Sequence, residues 1–181
     1  MGRTPVPCLP SPTAHRPPFC IHAHMGIKCF IIEPTEEKTP EGHTIYRRMD
    51  TGEKGPYLNP GVAGTPVGAM WWCDWLGVYG YKRSFEKHLA ALEANLEPHR
   101  YFPDESGRIL AVMTPGGTWI IDSRASNCAL PHDNIHHCWV RHGIPPLITV
   151  DKAGVTCAAG AGSIHAGKWH GYLREGELVE A

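Results

Sequence analysis

Cys128, His132, His136, His137, Cys138 and His142 crowd into one short stretch of the chain, and Cys157 follows a little further on. Thiol and imidazole groups are the usual donors to zinc, which takes four of them tetrahedrally, and short spacings between ligands lower the entropy lost when the chelate closes. The preferred set is Cys128, Cys138 and Cys157 with one histidine, His142 or, as the alternative ligand, His136. Three thiolates hold zinc more tightly than a set dominated by histidine. The expected role is structural. Residues 127–146 carry little apolar periodicity, so hydrophobic burial has difficulty ordering a connection of that length. A structural zinc ion contributes on the order of 10 kcal/mol to folding, enough to supply the missing order. Paired C-x-x-C knuckles are absent, and the plain alternative is that the cysteines are small buried hydrophobes and the histidines lie on a solvated loop.

The same residues offer two hydrolytic chemistries. Cys157 can act as a nucleophile with His170 or His165 as base and Asp122 as the orienting carboxylate, or a zinc ion with an open position can activate water beside Asp133. Neither has a supporting motif: G-x-S-x-G and H-E-x-x-H are missing, and the Gly160-Ala161-Gly162 segment lacks the lysine and spacing of a phosphate-binding loop. Residues 122–127 are polar and read as Asx and Ser turns. The functional expectation is therefore a non-enzymatic, zinc-stabilised binding module, with Trp139, Arg141, Trp169 and Arg174 as exposed interface residues. Lys and Arg total 17 against 18 Asp and Glu. That balance favours a protein partner over nucleic acid.

Positioning such a cluster requires a scaffold. The 181 residues are 42% hydrophobic, enough for one core, and they include 20 Gly and 17 Pro, a composition of short strands and turns. Residues 1–24 hold six of the prolines with no apolar period and read as a flexible tail; residues 25–181 read as a single β-rich domain, with Met25 a natural start for it. Residues 27–32 form an apolar, β-branched strand ended by Pro34, and residues 43–49 a second strand antiparallel to it. The aromatic run Met70–Leu76 reads as a core anchor. Phe85, Leu89, Leu92 and Leu96 lie at helical spacing behind the cap residue Ser84, predicting one helix over 84–96. Three hairpins are predicted: 109–122 turning at Pro115-Gly116-Gly117, 147–157 turning through Asp151–Gly154, and 169–179 turning at Glu175-Gly176. The fold class is α+β, a small domain of antiparallel hairpins with one helix and a Cys/His metal site. No apolar run reaches membrane-spanning length, and seven cysteines cannot all pair within one chain. The expected partner list excludes a membrane, and the expected compartment is the cytoplasm.

Four strings stand out: Ile121-Asp122-Ser123-Arg124-Ala125-Ser126-Asn127-Cys128, Cys138-Trp139-Val140-Arg141-His142-Gly143, Val150-Asp151-Lys152, and Thr156-Cys157-Ala158-Ala159-Gly160-Ala161-Gly162-Ser163-Ile164. In these the chain resembles a family of small uncharacterised proteins encoded by bacteriophages and prophages. The resemblance covers roughly residues 108–176 and touches Phe30–Thr35. It implies a cytoplasmic accessory role in an infected cell and does not imply an activity.

Overall fold

The computed structural model describes residues 26–55, 64–73, 90–91, 93–95, 101–104, 106, 108–133, 135–151 and 162–181. The chain opens with β1 (Ile27–Lys28), β2 (Phe30–Lys38), β3 (Thr44–Arg48), β4 (Lys54–Gly55) and β5 (Ala69–Cys73). It continues through β6 (Ile109–Thr114), β7 (Gly117–Ile120), β8 (Val140–Ile144) and β9 (Leu147–Asp151), and closes with β10 (Ile164–Ala166), β11 (Trp169–Arg174) and β12 (Glu177–Glu180). These build a six-stranded sheet in the order β4-β3-β2-β5-β6-β7, a four-stranded sheet in the order β1-β12-β11-β10, and the ribbon β8-β9. Cys29 is the junction between the two larger sheets: β1 before it pairs with β12, and β2 after it pairs with β3 and β5.

Strand β6 is buried along its whole length. Its alternate residues face opposite ways, as the two-residue period of a strand dictates. Leu110 and Val112 join a core with Met70, Ile121, Cys138, Trp139, Ile148, Val150, Ile164, Trp169, Leu173 and Leu178, which binds the ribbon and the four-stranded sheet to one face of the six-stranded sheet. Ala111 and Met113 turn to a second cluster with Phe30, Ile32, Tyr46, Ala69 and Trp71 on the other face.

The β-rich reading holds, and so do the two hairpins 109–122 and 169–179, although β7 stops at Ile120. At the first turn only Gly117 has positive φ, +122°. Gly116 is required for a different reason, since a Cβ there would overlap the Ala166 carbonyl oxygen and crowd Trp169. Other expectations are corrected. Pro34 does not end the strand expected over 27–32, which continues as β2 to Lys38: it pairs with Tyr46 on the β3 side, while β5 pairs only with Phe30 and Ile31, so the missing N–H falls where no ladder bond is needed. The sheet is not wholly antiparallel, because β2 and β5 run parallel. The first strand of the hairpin expected over 147–157 is present as β9, paired with β8 through a turn at Pro145-Pro146, and the rest of that hairpin, from residue 152, lies outside the described residues. The helix of the α+β assignment is not shown as an element, although Ala90, Ala91 and Glu93 are helical among the described residues. Most of the 84–96 segment lies outside them; a single turn remains, with the Ala94 N–H donating to the Ala90 carbonyl at 3.0 Å. The 1–24 segment also lies outside them.

Candidate metal site

Between β7 and β8 the chain runs from Ile121 to Trp139 without a strand. Its two ends are fixed by burial, since Ile121 and Trp139 both belong to the main core. Its middle is held by polar bonds to Arg124. The guanidinium Nη1 donates to the Leu130 carbonyl at 2.8 Å, and Nη2 donates to the Asp133 carbonyl at 2.6 Å. The same cation lies 4.7 Å from the centre of the Phe102 ring, whose other contact is a 4.2 Å stack with His137. Asp133 Oδ1 then accepts the backbone N–H groups of Ile135 and His136, at 2.8 and 3.0 Å, a turn that aims the His136 ring inward. These two backbone donors, that of Ile135 first, hold the Asp133 carboxyl below the usual carboxylate range.

The result is a convergence of Cys128, His136 and Cys138, whose donor atoms all lie within 4.8 Å of one another. Cys138 Sγ is 3.5 Å from His136 Nε2, and both residues are buried. Cys128 is half-buried and forms the outer edge of the group. Its sulfur accepts N–H bonds from Arg124 at 3.1 Å and from the Leu130 backbone at 3.3 Å. Donors of this kind are the ordinary outer partners of a metal-bound thiolate. Two sulfurs and one imidazole form a soft to borderline donor set, suited to zinc rather than to magnesium or calcium. None of the four described cysteines, Cys29, Cys73, Cys128 and Cys138, is in a disulfide.

Of the expected ligands, the structure brings together Cys128 and Cys138. The histidine beside them is His136, the alternative, rather than His142. His142 lies exposed in mid-strand on β8, paired with Thr149 and outside the group. An extended strand advances about 3.3 Å per residue, so the residues that follow Cys138 leave the site quickly. Cys157 lies outside the described residues, and with it the nucleophile of the cysteine hydrolase arrangement. His165 and His170 stack on each other, and Asp122 accepts the Leu110 N–H at 2.8 Å and pairs with Arg141 at 3.3 Å.

Three of the four expected interface residues are corrected too. Trp139 and Trp169 are buried in the main core, and their bulk fills the space between sheets. Arg141 is held under the surface by Asp104 and Asp122 and lies 5.1 Å from the Trp72 ring centre. Arg174 alone is exposed, its guanidinium 4.2 Å above the Tyr172 ring. Beside the metal group lies a cavity of about 540 Å³ lined by Tyr101, Trp119, Ser123, Ser126, Cys128 and Pro131 among others. Sequence reasoning missed Arg124 as the organiser of the loop, and only its position four residues before Cys128 hinted at it.

Fold and site together define a β-rich domain with a Cys/His donor group set into the connection between β7 and β8. Comparison with family models, with curated proteins and with solved structures finds no match for this chain.

Proposed function

We propose that this protein is a non-enzymatic, zinc-stabilised binding module, and that its recognition surface is the loop from Ile121 to Trp139 with the cavity beside it. The observation that carries the reading is the convergence of Cys128, His136 and Cys138 from a segment that has no strand of its own. A cation there ties the half-exposed wall of the cavity, at Cys128, to the buried core at Cys138. Cys157 is the proposed fourth donor, which makes the site closed and structural. The cavity mixes aromatic faces with hydroxyl groups, the lining of a site that takes a small polar ligand or one side chain of a protein partner. Near-balanced charge argues against nucleic acid as that partner. The sequence resemblance gives this module its setting, a phage-type accessory role in a host cytoplasm.

Hydrogen exchange on the zinc-loaded and chelated protein tests the reading. Protection of 121–139 should be lost on chelation, while the ladders of β5-β6-β7 and β11-β12 keep theirs. Equal protection in both states would remove the metal from the account. One observation favours a second reading, a catalytic zinc: Cys128 lines the cavity, so a ligand there would reach the edge of the ion. Turnover of a test ester or amide that vanishes on chelation, with protection of the loop retained, would establish that reading instead.

A further inference from the structure

The outer face of the four-stranded sheet carries a second group of metal-ligating side chains, independent of the cysteine site. His165 on β10 and His170 on β11 are directly opposite one another across the hairpin that turns at Gly167-Lys168. Both are exposed. Their rings stack with centroids 4.0 Å apart and planes inclined by 26°. That stack is the ring contact made by each imidazole among the described residues.

Neighbouring strands place opposed side chains at short distance on one face, and the backbone of an antiparallel pair holds the spacing. Both imidazoles lie on that exposed face, where their side-chain bonds are free to rotate. A tetrahedral zinc ion with Zn–N bonds of about 2.05 Å needs its two nitrogens about 3.3 Å apart. In the stack the in-plane lone pairs of the two rings do not converge, so binding turns each exposed ring out of the stack about its side-chain bonds while the ladder keeps the two residues opposed. The rigid part of the chelate is thus already built by the ladder Ile164–Gly171, His165–His170 and Ala166–Trp169. Beneath it, Ile164, Ala166 and Trp169 are buried, which anchors both strands to the core.

We propose that His165 and His170 form a two-imidazole clamp for a borderline divalent cation of the zinc class, with its remaining positions open to water or to an external donor. Binding bridges β10 to β11, the last pair of strands in that sheet among the described residues. Because two donors on one rigid frame act together, losing either one should weaken binding by about a hundredfold.

The test is calorimetric titration of the full chain with zinc chloride, comparing the wild type with His165→Gln and His170→Gln. The wild type should take up one more equivalent than either variant, and each variant should lose that equivalent in the micromolar to millimolar range titrated. The reading is a difference between proteins, so it holds whether or not the Cys128–His136–Cys138 site is filled. Both imidazoles are exposed, and circular dichroism should show the variants folded as the wild type. In the wild type, the imidazole resonances of His165 and His170 should shift together as that equivalent binds. Identical stoichiometry in all three proteins, or a loss no greater than twofold in each variant, would overturn the clamp.

Discussion

Replacing Arg141 by methionine tests how the ribbon β8-β9, which carries the chain away from Cys138, is fixed to the six-stranded sheet. Arg141 Nη2 lies 3.2 Å from Asp104 Oδ2, and Nη1 lies 3.3 Å from Asp122 Oδ2, the latter close in distance but off the hydrogen-bond axis. The three side chains are only 17, 21 and 10% exposed. At an effective dielectric of about 20, each pair attracts by about 5 kcal/mol, much of it offset by the cost of desolvating the charges. Removing one partner of a buried pair leaves the others uncompensated, at about 3 to 5 kcal/mol, and the residual exposure here sets the expected loss near about 3 kcal/mol at neutral pH. The loss must depend on pH. Burial already holds the Asp122 carboxyl above the usual carboxylate range, with the Leu110 N–H and Arg141 opposing it, so loss of the cation raises it further. A carboxyl raised on folding binds its proton more tightly in the folded state. The stability it contributes is fully present below the unfolded aspartate value and is lost as pH rises through the folded value. Asp104 behaves in the opposite sense. Desolvation would raise it, but Ser106, Arg108 and Arg141 together hold it low, so its contribution to the wild type is present above the unfolded value and is lost as pH falls through the folded one. Both effects shrink the difference between the proteins in acid. Urea denaturation at about pH 7 and about pH 4 should therefore show a large deficit that narrows at the lower pH. A deficit below about 1 kcal/mol at neutral pH, or one of the same size at both, would refute the reasoning.

Three further outcomes follow from the same geometry. Gly116→Val should cost about 3 kcal/mol or more, because its side chain meets the Ala166 backbone, whereas Gly117→Ala should cost only about 1 kcal/mol for the positive φ; thermal melts giving equal losses would contradict the two separate mechanisms. The Cys29 and Cys73 thiols are pushed up to about 12, in each case by burial first, with Glu177 adding to the effect at Cys29 and Asp122 at Cys73. At pH 8 about one molecule in ten thousand then carries the reactive thiolate, so native-state iodoacetamide followed by peptide mapping should leave both unlabelled, and rapid labelling of either would show that its burial is wrong. His136→Ala and Cys128→Ser should each lower zinc affinity, while His142→Ala should leave it unchanged; a large effect at His142 would restore the other ligand set.

What was legible in the sequence was local. Pro115-Gly116-Gly117 and Glu175-Gly176 mark their hairpins because the turn chemistry lies in adjacent residues. Cys128 and Cys138 were readable as partners for the same reason, a short spacing between donors. What was not legible depends on contacts between distant segments. The parallel pairing of β2 with β5 joins Phe30 to Ala69 and has no turn to announce it. Pro145-Pro146 sits at the end of an aperiodic stretch of sequence, yet it is the corner of β8-β9, whose inward residues Ile148 and Val150 are fixed by the core rather than by a local pattern. Trp139 and Trp169 carry no sign of their burial in neighbouring residues. The choice of His136 over His142 likewise follows from Arg124 and Asp133 folding the loop back on itself, an arrangement of side chains on main-chain carbonyls and amides that spacing alone does not encode.

The central claim, that Cys128, His136 and Cys138 hold a zinc ion that orders the loop, is tested most directly by metal analysis of the purified full chain. After removal of weakly bound ions the wild type should retain close to one equivalent of zinc, and Cys138→Ser should lose the metal and the protection of 121–139 together. A wild-type protein that is fully folded and metal-free after purification from zinc-replete medium would contradict the account and leave the two cysteines as ordinary core residues.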